Sequence, residues 1–273
     1  MKAVQTIAEI GINHNGSLEL AKKLIDIAAF SGFDYVKFQK RNPEVCVPPA
    51  VRDKPKSTPW GEMTYFDYKM KIEFGRDEYN EIDDYCSRLG IKWFASVWDE
   101  DSVDFMSEYV DVMKVPSALI TNTDLVKHAR SAAGTLMIST GMSDEREVCD
   151  AIKFGDPDVI FHTCSDYPSK MEDLKLEYIK WLKKHNPSRE IGYSGHEFGL
   201  ATTVAAVALG ATWVERHVTL DRRMWGSDQS ASVEPSGMIK LIKSIRDVEA
   251  AMSGYGEREV LASEMSKRDS LRG

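Results

Sequence analysis

Cysteine is scarce in this sequence, and its spacing argues against two common ways of stabilising a fold. The four cysteines, Cys46, Cys86, Cys149 and Cys164, include no Cys-x-x-Cys pair. We therefore expect neither a disulfide framework nor a thiolate zinc site, and favour free thiols in a reducing cytoplasm. Cys164 follows a predicted strand, where a nucleophilic role is the alternative to the packed thiol that we favour.

The chain also lacks an excess of basic residues and any long apolar run. Its 35 Lys and Arg residues against 43 Asp and Glu give a net charge of −8, which argues against sequence-independent nucleic-acid binding. No apolar stretch approaches the roughly 20 residues of a membrane span. Residues 1–4 lead directly into a strand pattern, so we expect no signal peptide, no membrane association and a cytoplasmic location.

Strand-like and helix-like patterns alternate along the chain, which is typical of a parallel α/β fold. Apolar runs predict strands at 4–10, 35–39, 92–96, 110–115, 136–139, 159–162, 190–193 and 212–217. The first helical pattern begins after Ser17, which is its candidate cap, and the last begins after Ser236 in the same way. Between them, helical patterns lie at 76–89, 101–107, 122–132, 144–153, 171–184 and 199–209. About eight β/α units predict a single-domain (β/α)8 TIM barrel over residues 1–256, followed by a polar tail at 257–273.

One long segment, residues 40–75, interrupts this alternation and is rich in proline. It carries the basic residues Arg41, Arg52, Lys54 and Lys56. A loop of this length inside a compact domain is usually functional or mobile. Two interpretations stay open: a lid over the mouth of a pocket, and a solvated surface excursion.

Two histidines lie at the ends of neighbouring predicted strands. His196 comes just after one strand and His217 ends the next. Adjacent strands lie about 4.8 Å apart, so the two imidazoles can share one divalent ion such as Mn²⁺, Fe²⁺, Co²⁺ or Zn²⁺. The alternative is a pair of structural histidines, and His14 in the first β/α loop is either a turn residue or part of the same site.

Lys37 and Lys114 each lie near the end of an apolar strand, where an unpaired ammonium group is energetically unfavourable. A pair of lysines at such positions favours binding of an anionic ligand over a Schiff-base mechanism, which needs only one lysine. Salt bridges to Glu9 or Glu215 are a further possibility that does not exclude ligand binding.

Other polar residues follow the predicted strands. Hydroxyl groups and loop amides that can hold phosphate, or that simply shape turns, are found at Ser117, Ser139, Thr140, Gly141 and Ser194, with Ser143 a candidate cap for the next helix. Candidate acid–base carboxylates are Glu9 and Asp228. Asn13, Asn15 and Gln39 are candidates for contacts with sugar hydroxyls or for shaping loops.

Five ordered motifs resemble those of the sialic acid synthase (N-acetylneuraminate synthase) family. They are Ile7–Gly16, Val36–Gln39, Ser139–Met142, Gly192–His196 and Glu215–Asp221. Members are TIM barrels that condense phosphoenolpyruvate with an N-acetylated sugar aldehyde to give a nonulosonic acid and phosphate. The resemblance therefore implies a cytoplasmic transferase with two small-molecule substrates, while a homo-oligomer stays open.

The resemblance also implies roles for matching residues. Metal ligands would be His196 and His217, with Mn²⁺ the expected ion and Mg²⁺, Co²⁺ or Zn²⁺ as alternatives. Phosphoenolpyruvate would be held by Lys37, Lys114, Ser117, Ser139 and Ser194. The sugar, an N-acetylmannosamine-like aldehyde with or without a phosphate, would contact Gln39, Tyr167 and Asp228. The catalytic residues would be Glu9, Lys37 and Asp228.

The sequence departs from the family pattern in three places. Ser165 stands where many members have Asn, and Ala118 and Leu119 stand where many have an acidic residue. Many members also append an antifreeze-like domain, and this sequence ends about where it would begin. We therefore expect another segment, with 40–75 as the candidate, to contact the acyl end of the sugar. The alternatives are a related condensation that gives a shorter 3-deoxy sugar acid, and a non-catalytic barrel that binds a sugar acid or phosphate.

Overall fold

The computed structural model describes residues 3–254, 256 and 258–272. The strands are β1 Gln5–Gly11, β2 Tyr35–Lys40, β3 Pro55–Thr58, β4 Gly61–Thr64, β5 Lys92–Val97, β6 Val112–Val115, β7 Thr135–Ser139, β8 Val159–Thr163, β9 Glu190–Gly195 and β10 Trp213–His217. Eight of them are parallel and form a closed barrel in the order β1-β10-β9-β8-β7-β6-β5-β2, and β3 pairs with β4 as a separate hairpin. The predicted TIM barrel is confirmed, and every predicted barrel strand is found within two residues of its expected ends.

Helices surround the barrel and connect its strands. They are α1 Leu18–Ser31, α2 Pro43–Cys46, α3 Pro49–Arg52, α4 Tyr65–Ile72, α5 Arg76–Leu89, α6 Glu100–Ser107, α7 Thr123–Ala132, α8 Glu145–Gly155, α9 Tyr178–His185, α10 Ala201–Ala208, α11 Pro235–Ala251 and α12 Ala262–Arg272. Short 3-10 turns lie at Ser117–Leu119, Met171–Asp173 and Gln229–Ala231. Of the helices described, each is too short or too polar to cross a lipid bilayer.

Helix α1 shows how the sequence specifies these elements. The side chain of Ser17 accepts a hydrogen bond from the backbone N–H of Leu20, and Gly32 ends the helix in the left-handed conformation. Between them, Leu24 and Ile25 belong to the buried stripe that packs into the core between helices and barrel. Burial of each such side chain stabilises the fold by about 1.5–3 kcal/mol.

Three helix predictions need correction. Asp144, not Ser143, caps α8, because its carboxylate accepts from the N–H of Glu147 in a capping box. Ser236 lies inside α11, which begins at Pro235. The helix predicted at 171–184 is a 3-10 turn and the shorter α9, separated at Lys175, whose φ of 45° is incompatible with a helix.

The segment at 40–75 is folded rather than irregular, since it contains α2, α3, the β3–β4 hairpin and α4. Tyr68 and Ile72 of α4 are buried against Ile12 of the first β/α loop, with Trp225 beside them. This packing fixes the segment over one side of the barrel mouth. The tail beyond it is different: α12 buries no residue, and the domain boundary at 256 stays a prediction.

Successive side chains of each strand point alternately into the barrel and toward the helices, and the inward-pointing side chains lie in layers. In β10, Trp213, Glu215 and His217 point inward, while Val214 and Arg216 face the helices. The lowest inner layer is an apolar cluster formed by Ile7, Tyr35, Phe94, Met137, Val159, Phe161 and Trp213. This cluster closes the barrel from below, so the polar layers above it face the C-terminal opening.

Candidate active site

A cavity of about 280 Å³ opens at the C-terminal ends of the barrel strands. The residues to which the family resemblance assigns a role all lie in its wall: Glu9, Lys37, Gln39, Lys114, Ser117, Ser139, Tyr167, Ser194, His196, His217 and Asp228. The other candidates Asn13, Asn15, Thr140 and Gly141 do not line it, and the side chains of Asn13 and Asn15 donate to backbone carbonyls of the loop around Trp225 and Val218 instead. Strand register brings several together, because Glu9 of β1 is paired with Lys37 on one side and with His217 on the other. Their roles stay predictions, but their convergence is a property of the fold.

A buried ionic cluster forms the floor of the cavity. Lys114 Nζ donates to both carboxylate oxygens of Glu215, at 2.9 Å each, and Lys37 Nζ lies 3.1 Å from Glu215 and 3.4 Å from Glu9. Lys37 also donates to Ser96 Oγ at 2.9 Å. The predicted salt bridges are therefore present, and they hold both ammonium groups at fixed positions above the apolar cluster.

Burial and pairing affect the two lysines differently. Burial by itself would lower the pKa of Lys37, but Glu215 and Glu9 together raise it, so this group stays protonated. Burial lowers the pKa of Lys114 to about 8, with the nearby charge of Lys37 contributing in the same direction. Although burial would raise the pKa of Glu215, the two lysines hold it well below its usual range. The carboxylate of Glu215 thus offsets the electrostatic repulsion between the ammonium groups of Lys37 and Lys114.

Glu9 differs from Glu215 because burial dominates its environment. Gln39 Nε2 donates to Glu9 Oε1 at 3.0 Å, while Glu9 Oε2 has no hydrogen-bond partner among the described residues. Burial raises the pKa of Glu9 above its ordinary value, although Lys37 opposes this effect. A carboxyl group whose pKa is raised in this way retains a proton more readily than an exposed one, which suits acid–base chemistry.

The rings of His196 and His217 face each other across the cavity wall with centroids 5.4 Å apart. His196 Nδ1 lies 2.8 Å from the carbonyl oxygen of Cys164; since a carbonyl only accepts, Nδ1 carries the proton and Nε2 keeps its lone pair. Burial lowers the pKa of His196 to about 3, so the ring is neutral. His217 Nδ1 is buried and has no partner in the described chain.

This donor set fits a divalent ion that retains several water or substrate ligands. Two neutral imidazoles are available, and the carbonyl of Cys164 orients one of them, as is usual for metal-binding histidines. Among the described residues, no group of three or more His, Cys, Asp or Glu side chains is arranged to hold a metal. These described side-chain types therefore do not by themselves form a complete metal site, and open coordination positions would remain for water or substrate.

Hydroxyl groups border the ionic cluster. Ser194 Oγ donates to Glu215 Oε1 at 3.0 Å, and Ser117 and Ser139 line the wall nearby. A Cβ atom added to Gly141 would lie 2.9 Å from Ser117 Oγ and 2.1 Å from Ser165 Oγ. Only glycine therefore lets the β7 loop approach these hydroxyls so closely.

Tyr167 and Asp228 lie on the outer side of the histidines. The Tyr167 ring packs 4.0 Å from the His196 ring and 5.9 Å from the His217 ring. Burial raises the pKa of Tyr167, with Asp228 adding to the effect, so its hydroxyl group remains a hydrogen-bond donor. His14, by contrast, accepts from the N–H of Gly16 and belongs to a turn.

Sequence reasoning missed several residues of the cavity wall. Glu215 appeared only as a salt-bridge partner, although it joins both lysines. Ser96 ends a strand pattern one residue before β5 ends, and this position was a usable signal. Lys69 also lines the cavity, and so does Arg41, which was noted only as one of the basic residues of the segment at 40–75 that contains both.

A family model described as the NeuB family matches residues 24–257. The chain belongs to the NeuB family. A human relative named N-acetylneuraminate-9-phosphate synthase is 39% identical over 97% of this chain and 75% of its own length. A relative from Legionella pneumophila named N,N'-diacetyllegionaminic acid synthase is 34% identical over 97% of this chain and 78% of its own.

A solved structure of an N-acetylneuraminic acid synthetase from Leptospira borgpetersenii, in complex with citrate, agrees with this NeuB fold. It superimposes with a TM-score of 0.85 at 30% identity, covering 99% of this chain and 93% of that one. The resemblance that the motifs indicated is thus confirmed for the whole barrel. The NeuB relatives are named for different products, so family membership alone does not identify the sugar.

Proposed function

We propose that this chain condenses phosphoenolpyruvate with the open-chain aldehyde of an N-acylated amino sugar, giving a nonulosonic acid and inorganic phosphate. The observation that carries the proposal is the cluster of Lys37, Glu215 and Lys114 beside the paired histidines in one cavity. The names of the NeuB relatives support this reaction over a shorter 3-deoxy sugar acid.

In this proposal the floor of the cavity binds phosphoenolpyruvate. Lys37 and Lys114 balance its phosphate and carboxylate charges, and Ser117, Ser139 and Ser194 add hydrogen bonds. Because Glu215 already holds both ammonium groups in place, little reorganisation is needed when the anion binds. The amine of Lys114 donates to two carboxylate oxygens, which argues against a Schiff-base mechanism.

We further propose that His196 and His217 hold a divalent ion, with Mn²⁺ as the expected metal and Mg²⁺, Co²⁺ or Zn²⁺ as alternatives. When bound, such an ion would polarise the aldehyde oxygen of the sugar. Gln39, Tyr167 and Asp228 surround this position and would orient the sugar chain through its hydroxyl groups.

The bond changes follow from this placement. The methylene carbon of phosphoenolpyruvate attacks the aldehyde carbon, and water adds to the enol carbon, which has become electron-poor. Glu9, whose pKa is raised by burial, protonates the aldehyde oxygen and accepts a proton from the attacking water. The tetrahedral intermediate then expels phosphate by cleavage of its carbon–oxygen bond and passes its hydroxyl proton to the phosphate.

The test measures phosphate release from phosphoenolpyruvate with a panel of hexosamine-derived aldehydes, in Mn²⁺ or in chelator. We expect release only with both substrates and the metal, and a product mass equal to acceptor plus pyruvate. Release with a neutral pentose or tetrose alone would favour the shorter sugar acid. Binding by calorimetry without any phosphate release would favour a non-catalytic barrel. The cytoplasmic location and the oligomeric state stay predictions.

A further inference from the structure

Two buried cations in the cavity wall have no part in the proposed condensation. Arg41 is 7% exposed and Lys69 is 8% exposed, and both line the cavity that contains Lys37 and Lys114. They lie close enough to interact electrostatically with each other and with Asp228. We call Arg41 and Lys69 the outer cations.

Unlike the lysines of the floor, the outer cations have no ion-pair partner within the described chain. Arg41 donates one hydrogen bond to the side-chain oxygen of Gln39, while its buried Nε has no partner. Lys69 Nζ makes no hydrogen bond or ion pair with the described residues, and the rings of Tyr65 and Tyr68 have their centroids 5.4 Å and 5.3 Å from it. Since unpaired buried charges are costly, this arrangement indicates an anion that arrives with a ligand.

The carboxylates nearby do not neutralise this pair. Glu73 is engaged by the ammonium group of Lys40 at 3.0 Å and meets Arg41 only through the backbone N–H, at 3.1 Å. Asp228 lies in the same wall, where it accepts from Ser227 Oγ at 2.6 Å. Burial, with Arg41 adding to the effect, lowers the pKa of Lys69 to about 8, and a bound anion would relieve this crowding.

The outer cations are held in place before any ligand binds. The guanidinium group of Arg41 stacks 4.2 Å above the ring of Trp98. Lys69 lies in α4, whose neighbours Tyr68 and Ile72 are packed against the barrel mouth. Preorganised donors of this kind bind anions at a reduced ordering cost.

The outer cations are also well separated from the floor. Arg41 lies four residues beyond Lys37, which corresponds to about 13 Å along an extended strand. The cavity therefore has one cationic group at its floor and a second toward the segment at 40–75. An acceptor bound between them would have its aldehyde near the histidines and its far end at the outer cations.

We propose that Arg41 and Lys69 bind a phosphate monoester at the far end of the acceptor, so that the chain uses a 6-phosphorylated N-acyl amino sugar. This inference rests on the proposed function. A phosphate dianion matches two cations in charge, and the planar fork of arginine suits its oxygens. The phosphate would remain on the product, since only the ester bond of phosphoenolpyruvate is cleaved.

The experiment compares N-acetylmannosamine with its 6-phosphate in steady-state kinetics. We expect the kcat/KM of the wild type to be at least about tenfold higher for the phosphorylated sugar than for N-acetylmannosamine. One charge-assisted hydrogen bond to the phosphate is enough to give a difference of this size. Lys69→Gln should raise the KM for the phosphorylated sugar by a similar factor and leave the KM for phosphoenolpyruvate unchanged. Lys69→Arg should restore part of the loss.

Lys71→Gln is the matched control, because Lys71 is exposed on the same helix and does not line the cavity. It should leave all kinetic constants unchanged, and thermal melting should show that each variant is folded. Equal kcat/KM for the two sugars would overturn the inference. So would a Lys69→Gln effect on the KM for phosphoenolpyruvate instead of the sugar.

The two proposals fail in different ways. If no aldehyde of the panel supports phosphate release, the proposed function is wrong, and calorimetry of N-acetylmannosamine 6-phosphate against wild type and Lys69→Gln still tests the anion site. Binding that is lost in the variant would support the outer cations as a phosphate site. Equal binding, or none to the wild type, would overturn it.

Discussion

Arg216 and Glu197 form a buried ion pair directly behind the two histidines. Arg216 Nη1 lies 3.2 Å from Glu197 Oε1, and Nη2 donates to the backbone carbonyl of Glu197 at 2.6 Å. Arg216 precedes His217 in β10, while Glu197 follows His196. The pair therefore joins the two chain segments that carry the imidazoles and fixes their separation.

Weakening this pair should loosen the histidine site. We expect Glu197→Gln, which keeps hydrogen-bonding atoms but loses the charge, to weaken Mn²⁺ binding by about 10–100-fold, as is usual for groups that orient metal ligands. Calorimetric titration with Mn²⁺ measures the change. Glu234→Gln alters a partly exposed carboxylate that pairs with Arg222 and serves as the control. Unaltered Mn²⁺ affinity in a folded Glu197→Gln protein would contradict the positioning role.

Removing an imidazole itself should abolish catalysis while keeping the fold. We expect His217→Ala to lower metal-dependent phosphate release by at least about a hundredfold, since groups that merely orient a ligand already contribute up to that factor. Circular dichroism should be unchanged, and His185→Ala, at an exposed helix end, should retain full activity. Turnover at the wild-type rate in His217→Ala would count against the assignment.

The ionisation of Lys114 should appear in the pH profile. Burial lowers its pKa to about 8, so its positive charge is present below that pH and lost above it. We expect kcat/KM for phosphoenolpyruvate to fall as the pH rises through about 8, measured with saturating acceptor so that Lys69 is occupied. The contribution of Lys114 to the free energy of unfolding rises over the same range, because the unfolded chain then binds more protons.

Lys114→Arg provides the control for this profile. Arginine remains charged over the whole range, so the falling limb near pH 8 should disappear in this variant. Persistence of the same limb would assign it to another group.

The close approach of the β7 loop can be tested at Gly141. We expect Gly141→Ala to raise the KM for phosphoenolpyruvate by about tenfold, because the new methyl group displaces Ser117 and Ser165. Overpacking of this kind also lowers the free energy of unfolding by about 1–3 kcal/mol. Gly256→Ala, with open space around the glycine, is the control. A Gly141→Ala enzyme with wild-type KM would show that these hydroxyls do not bind substrate.

The floor of the site was predictable from sequence because strand periodicity determines it. Lys37, Lys114 and His217 each end a short apolar run, and inward-facing positions recur every second residue. Once a parallel barrel is inferred, these side chains must converge. The alternation along β10 also explains why Arg216, next to His217, points away from the cavity and toward the helices.

The outer wall was not predictable in the same way. Lys69 lies in a segment with no strand period, and its position depends on the packing of Tyr68 and Ile72 against Ile12. No local pattern encodes that contact, which forms between distant parts of the chain. The helix predicted at 171–184 failed for a related reason, since the turn at Lys175 has no glycine or proline to mark it.

The segment at 40–75 belongs to a single connection between β2 and α5, and it contributes the outer cations without contributing to the floor. In the proposed assignment, this segment recognises only the far end of the acceptor, while Gln39, Tyr167 and Asp228 contact the rest of the sugar from other connections. We therefore expect exchange of this segment to alter the preference for a charged acceptor while leaving the floor residues Lys37, Lys114 and Glu215 in place. Diversification of products would then proceed by exchange of one module rather than by rebuilding the catalytic centre.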